Sequence, residues 1–195
     1  MTAGELWACV SGRWAPRIGD PELTGWLTVA AYLACLGLAV AVCRQPRSGV
    51  ARGFWAMIAV LMLALAINKQ LDLQSALTAA GRCLARAQGW YGDHRVVQVW
   101  FIAGLLVAML AGLLLGARAL RGRLRRNRLA LAGLVILSGF VMIRAAGFHH
   151  VDTMLGWRQL GVTGNYLLEN AGLVLIATNA MTILHSRSRD SAAAV

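Results

Sequence analysis

The side chains able to do chemistry are few, and they fall in four short stretches. INKQLDLQ carries Asn68, Lys69, Gln70 and Asp72. Asp93, His94 and Arg95 follow one another, RAAGFHHVD carries Arg144, His149, His150 and Asp152, and GNYLLENAG carries Asn165, Glu169 and Asn170. Asn68 and Asp72 are four apart, as are Asn165 and Glu169, so each pair shares a helix face. His149, His150 and Asp152 are metal-ligand types. His149 and Asp152 share a face if the helix continues, whereas His150 and Asp152 point the same way only if the backbone is extended. Adding His94 or Glu169 makes three or four N/O donors, the number a divalent metal such as zinc takes. HHxD lacks the specificity of HExxH, however. The same imidazoles, oriented by Asp152 or Glu169, have the chemistry of a general acid or base. A haem between His94 and one of the pair is the remoter option, and the two-haem pattern of transmembrane cytochromes would need a second His pair at the inner end, where only His185 stands. No serine lies in a GxSxG turn, so no nucleophile stands out.

Each of these residues also has a plain structural reading. Lys69 and Arg95 sit where long cationic side chains reach an interface. Arg144 lies about one turn inside an apolar run and needs a carboxylate, with Glu169 expected first and Asp72 second. A carboxylate near a helix start, as at Glu169, is favoured by the helix dipole in any protein. On this reading Asn68, Lys69, Asp72, Arg144, Asn165 and Asn170 form a structural polar cluster.

The elements that must position these groups are apolar. Of 195 residues 58% are hydrophobic and only 14% charged, against about 45–50% and 25% in soluble domains. That argues against an ordinary soluble enzyme and against disorder. Five runs approach the roughly 20 residues a bilayer span needs: about 26–43, 53–68, 96–117, 129–147 and 166–184. They are apolar all round and show no strand alternation. The expected fold is an all-α membrane bundle in one domain. Residues 1–24 form an outer segment and 185–195 an inner tail. Between the second and third spans, Leu73, Leu77, Ala80, Leu84 and Ala87 recur every three or four residues, which predicts an amphipathic helix over about 71–88 on the outer surface.

Nineteen basic and eight acidic residues give a net charge of +11. Because the charges fall between apolar runs, they mark topology rather than nucleic-acid binding. The first and third connections and the tail hold eleven basic residues and one acid, Asp190, a net of +10. The other side holds eight basic and seven acidic residues, a net of +1. Basic loops stay cytoplasmic, so the N-terminus is expected outside and the C-terminus inside. RALRGRLRRNR is then a cytoplasmic loop beside anionic lipid. The first 24 residues lack the apolar core of a cleavable signal. No CxxC motif is present. Cys9 and Cys83 both fall on the outer side; they either pair in an oxidising compartment or, on the plainer reading, remain two free thiols.

The runs WAPRIGDPELTGWLTVAAY, INKQLDLQ, IRAAGFHHVD and NYLLENAG together resemble a group of small bacterial integral membrane proteins. The resemblance spans nearly the whole chain. It implies a bacterial inner (cytoplasmic) membrane location and no particular activity. A fainter likeness to membrane hydrolases related to alkaline ceramidases brings no residues across, because their seven helices and HxxxH pair are missing. The favoured expectation is an accessory or binding subunit whose partners are the bilayer and a lipid ligand or another membrane protein. The alternative is a membrane-embedded, metal-dependent hydrolase of a lipid or headgroup at the outer leaflet.

Overall fold

The computed structural model describes residues 2–15, 22–45, 49–89, 94–146, 158–159 and 162–192. It is a helical chain with seven α-helices among these residues. Helix α1 (Ala3–Ser11) opens with a capping box: the Glu5 backbone N–H donates to Thr2 Oγ1 at 3.3 Å, and the Thr2 N–H donates to Glu5 Oε2 at 2.8 Å. Two of the helix's orphan amides are satisfied in this way. Helices α2 (Leu23–Cys43) and α3 (Gly49–Leu71) follow, then α4 (Leu73–Ala87), α5 (His94–Ala119), a 3-10 turn (Arg121–Arg123), α6 (Leu124–Ala146) and α7 (Gly164–Ala192). Three stretches, Leu23–Cys43, Ala51–Leu71 and Tyr166–Ser186, are long and apolar enough to cross a membrane.

The core lies between α2, α3, α6 and α7, around Tyr32, Trp55, Ile58, Met62, Leu137 and Ile176. Helices α6 and α7 run antiparallel and touch through backbone. A Cβ on Gly133 would sit 2.5 Å from the Gly172 carbonyl oxygen, and one on Gly172 would sit 2.9 Å from that of Gly133. Small residues permit this approach, the way helices associate where no water drives them together. Helix α5 differs. It packs mainly along α6, and Trp100, Val107 and Leu115 are each more than 60% exposed.

Two expectations change. Cys9 and Cys83 are not free thiols: they form a disulfide joining α1 to α4 across 74 residues of sequence. Val10, Ala79 and Cys83 make a small second core there, which is what brings the sulfurs together. The chain is also not wholly without strands. Arg158–Gln159 (β1) pairs antiparallel with Val162–Thr163 (β2) just before α7. A hairpin this short leaves no room for the alternation that marks a strand in sequence. The amphipathic segment is a helix as expected, but it is separate from α3. Asp72 takes a left-handed conformation (φ 46°, ψ 50°) and breaks the two apart. Aspartate is among the few non-glycine residues that tolerate this conformation. Gly81 lies inside the continuous helix α4.

Candidate functional site

The seam between α2 and α7 carries three hydrogen-bonded rungs. Asn170 Nδ2 donates to Thr28 Oγ1 at 3.2 Å, Tyr32 Oη donates to Glu169 Oε1 at 2.9 Å, and Cys35 Sγ donates to the Leu173 carbonyl at 3.4 Å. Residues 28, 32 and 35 lie on one face of α2 by helical spacing. From the first rung to the last the partner moves forward from Asn170 to Leu173, so α2 and α7 run parallel. Lys69, in the last turn of α3, donates its Nζ to Glu169 Oε2 at 3.0 Å. Glu169 is 4% exposed, and both its oxygens are engaged by groups from two other helices. A carboxylate can be buried only when paired and hydrogen-bonded, and here one cation and one phenol supply that.

Lys69, expected to reach out to an interface, is turned inward onto Glu169, the carboxylate for which the sequence offered Arg144. Arg144 lies on α6 with its side chain outside the described residues, as do the side chains of His94 and Asn165. His149, His150 and Asp152, the metal and acid–base candidates, lie wholly outside them. Among the described residues no group of three His, Cys, Asp or Glu could hold a metal ion. Asn68 is half-buried on α3, Asp72 forms the α3–α4 break, and Asn170 also donates to the Tyr166 carbonyl at 2.9 Å. Gln70 buries both amide atoms with no partner among the described residues.

A second polar network occupies the opposite end, where α3 and α6 begin. Trp55 Nε1 donates to Asn127 Oδ1 at 3.1 Å, and Asn127 Nδ2 donates to the Arg123 carbonyl at 3.0 Å. Asn179 reaches across from α7: its Oδ1 accepts from the Ala130 N–H at 3.0 Å, and its Nδ2 donates to the Arg126 carbonyl at 2.9 Å. Residues 126 and 130 are an i, i+4 pair, so one amide group spans the two ends of a helical rung. Sequence reading missed Tyr32, Thr28, Asn127 and Asn179. A lone amide inside the apolar run ATNAM was a usable signal for Asn179, since buried polar groups in spans are costly. Asn127 was hidden among arginines, and Tyr32 is unremarkable without its partner.

Beside the disulfide, α1 and α4 enclose an open apolar groove of about 420 Å³ lined by Leu6, Trp7, Val10, Trp14 and Ala80. It holds no group able to act as acid, base or ligand. No family model, curated protein or solved structure matches the chain.

Proposed function

We propose that this is a five-span protein of the bacterial cytoplasmic membrane, with its N-terminus outside and its C-terminus inside. It acts as an accessory or binding subunit rather than an enzyme. The observation that carries the second part is the state of Glu169, the one buried carboxylate among the described residues. Both its oxygens are committed to Lys69 and Tyr32. Each oxygen keeps a second lone pair, but at 4% exposure the carboxylate is closed off by the helices that pair with it, an arrangement suited to a helix lock rather than to meeting a substrate or ion. The cluster reads as a lock that joins α2, α3 and α7.

The span count rests on direction. Helices α2 and α7 are parallel, and α6 is antiparallel to α7 along a close seam, so α6 lies in the same layer as the spans. Helix α4 starts at the acid-bearing end, where α3 finishes, and packs on α1, while the 3-10 turn before α6 is at the opposite end. Helix α5 must therefore carry the chain across, and its 26 residues reach about 39 Å, enough for a bilayer core. The disulfide supports the orientation. Cys9 and Cys83 both belong to the end with balanced charge, and disulfides persist on the oxidising side of the membrane. The positive-inside rule points the same way independently.

Two experiments test this reading. Reporter fusions at Arg123 and at the C-terminus should both report cytoplasm, and a periplasmic signal at either reverses the map. Metal analysis of the purified protein, alongside His149→Ala and His150→Ala, should find no stoichiometric metal. Zinc that is bound by the parent and lost in these variants would replace the subunit with a metalloenzyme.

A further inference from the structure

The arginine-rich end is built to a higher standard than topology requires. Arg44, Arg52, Arg118, Arg121, Arg123, Arg125, Arg126 and Arg128 are all exposed. They share one end of the bundle. Cys43 Sγ donates to the Arg52 carbonyl at 3.6 Å, Trp55 binds Asn127, and Arg126 Nη2 donates to Ser186 Oγ at 3.1 Å. Of the acids in the described helices, Glu5, Glu22, Asp72 and Glu169 belong to the other end, and Asp190, near the finish of α7, is the one acid on this side. None of the eight arginines has an acidic partner among the described residues.

A charge that only retains a loop in the cytoplasm acts equally well on a flexible loop. Here the backbone is held. Asn127, 1% exposed, ties down the Arg123 carbonyl, Asn179 ties down the Arg126 carbonyl, and Leu120 is buried at the turn's entrance. Arg121 and Arg123 thus sit on a 3-10 turn whose backbone is held, with Arg125 in the first turn of α6 directly after it. Exposed guanidinium groups on a held backbone suit the bidentate binding of phosphate oxygens, and the helix start adds a favourable field for an anion.

We propose that this turn is a binding site for the phosphodiester headgroup of an anionic phospholipid in the inner leaflet. The site rests on the membrane-embedded reading above. Its position beside the spans brings a lipid phosphate to the guanidinium level without the lipid leaving the bilayer. Nearby Arg44 and Arg52 add to the field around it, while the clamped turn supplies the site itself.

The test uses the purified full chain, first inserted into phosphatidylcholine vesicles and then, in phosphatidylcholine-saturated micelles, titrated with short-chain phosphatidylglycerol or further phosphatidylcholine while thermal unfolding is followed. Phosphatidylglycerol should raise the midpoint at concentrations at least tenfold lower than phosphatidylcholine. Arg121→Gln with Arg123→Gln should weaken that response about tenfold. Arg13→Gln with Arg82→Gln removes equal charge from the other end and should leave it within twofold. Arg121→Lys with Arg123→Lys should fall between, keeping charge and losing the fork. All of these residues are exposed, so the lipid-free midpoints should stay close to the parent's. Equal responses to the two lipids overturn the site, as does equal loss in both Gln pairs. Full competition by inorganic phosphate would make it a soluble-phosphate site instead, and tighter binding of an oligonucleotide would make it a nucleic-acid surface. A chain that fails to enter phosphatidylcholine vesicles at all defeats the membrane reading and this one with it. A chain that enters them but shows no anionic preference defeats this one alone.

Discussion

The two ends of the bundle solve one problem in opposite ways. At the end where α3 finishes and α7 starts, charge is taken inside: Lys69 and Glu169 meet at 3.0 Å, with side chains 13% and 5% exposed. At the other end every described charge stays outside, and the buried groups are neutral, Trp55, Asn127 and Asn179. The charged end gains strong interactions only while the pair is complete. Burying two ions costs several kcal/mol each before their attraction returns it. The neutral end carries smaller penalties and gains definition, because its amides fix backbone carbonyls. A lock and a scaffold follow from that difference, and the two should fail differently.

Removing one partner of the lock should cause the largest loss. Lys69→Met or Glu169→Gln alone should lower stability by about 3–5 kcal/mol, since one member remains buried without its counterpart. The double variant should regain a large part of this. A double-mutant cycle on thermal unfolding in detergent reads the coupling, and purely additive losses would show that the two side chains do not interact. At the scaffold end, Asn127→Leu leaves the Trp55 N–H buried without an acceptor and should cost about 1–3 kcal/mol. That is below the cost of the lock because no net charge is stranded.

Between the ends, Gly133→Ala places a methyl against the Gly172 carbonyl. The expected loss is about 1–3 kcal/mol from overpacking, and Gly139→Ala on the same helix, which meets open space, is the control. Helix propensity alone favours alanine at both positions, so a gain at Gly133 matching that at Gly139 would mean that the close approach does not decide. The disulfide should matter less than its span suggests. A loop of this size is worth about 4 kcal/mol by chain entropy in water. Helices α2 and α3 lie between the two cysteines and already return the chain to the same end of the bundle, so reduction should cost clearly less than that and loosen α1 first. Thiol labelling of Cys9 and Cys83 after mild reduction, compared with the unfolding midpoint, checks it. The smallest effect should come from the exposed arginines. Arg121→Gln should change the lipid-free midpoint by no more than about 0.5 kcal/mol equivalent, so that any lipid effect at this residue is separable from folding.

Much of this was legible from composition and order along the chain. The apolar runs and their lengths placed the helices, because a helix buried or lipid-facing on all sides must be apolar on all sides. The three-and-four spacing after Leu73 marked α4. The asymmetry of charge between alternate connections identified the two ends, because it depends on position along the chain and on nothing else. The capping box at Thr2 and Glu5 was equally visible in T-A-G-E, although residues 1–24 were read only as an outer segment.

Tertiary structure alone decided which polar groups meet. Lys69 and Glu169 are 100 residues apart, and Tyr32 is 137 from its carboxylate. No local period links such positions, so the choice of Lys69 as Glu169's described partner depends on how α3 packs against α7. The Cys9–Cys83 bond likewise needed α1 to lie on α4. The contact of Gly133 with Gly172 needed two helices to approach within backbone distance. The sequence by itself determined which segments are helical, which are apolar throughout and at which end each charge sits, because those properties come from neighbours along the chain. The pairing of buried charges, the clamp on the arginine turn and the rungs between α2 and α7 come from neighbours across it. They follow from the requirement that every polar group removed from water find a partner, and packing decides which one it finds.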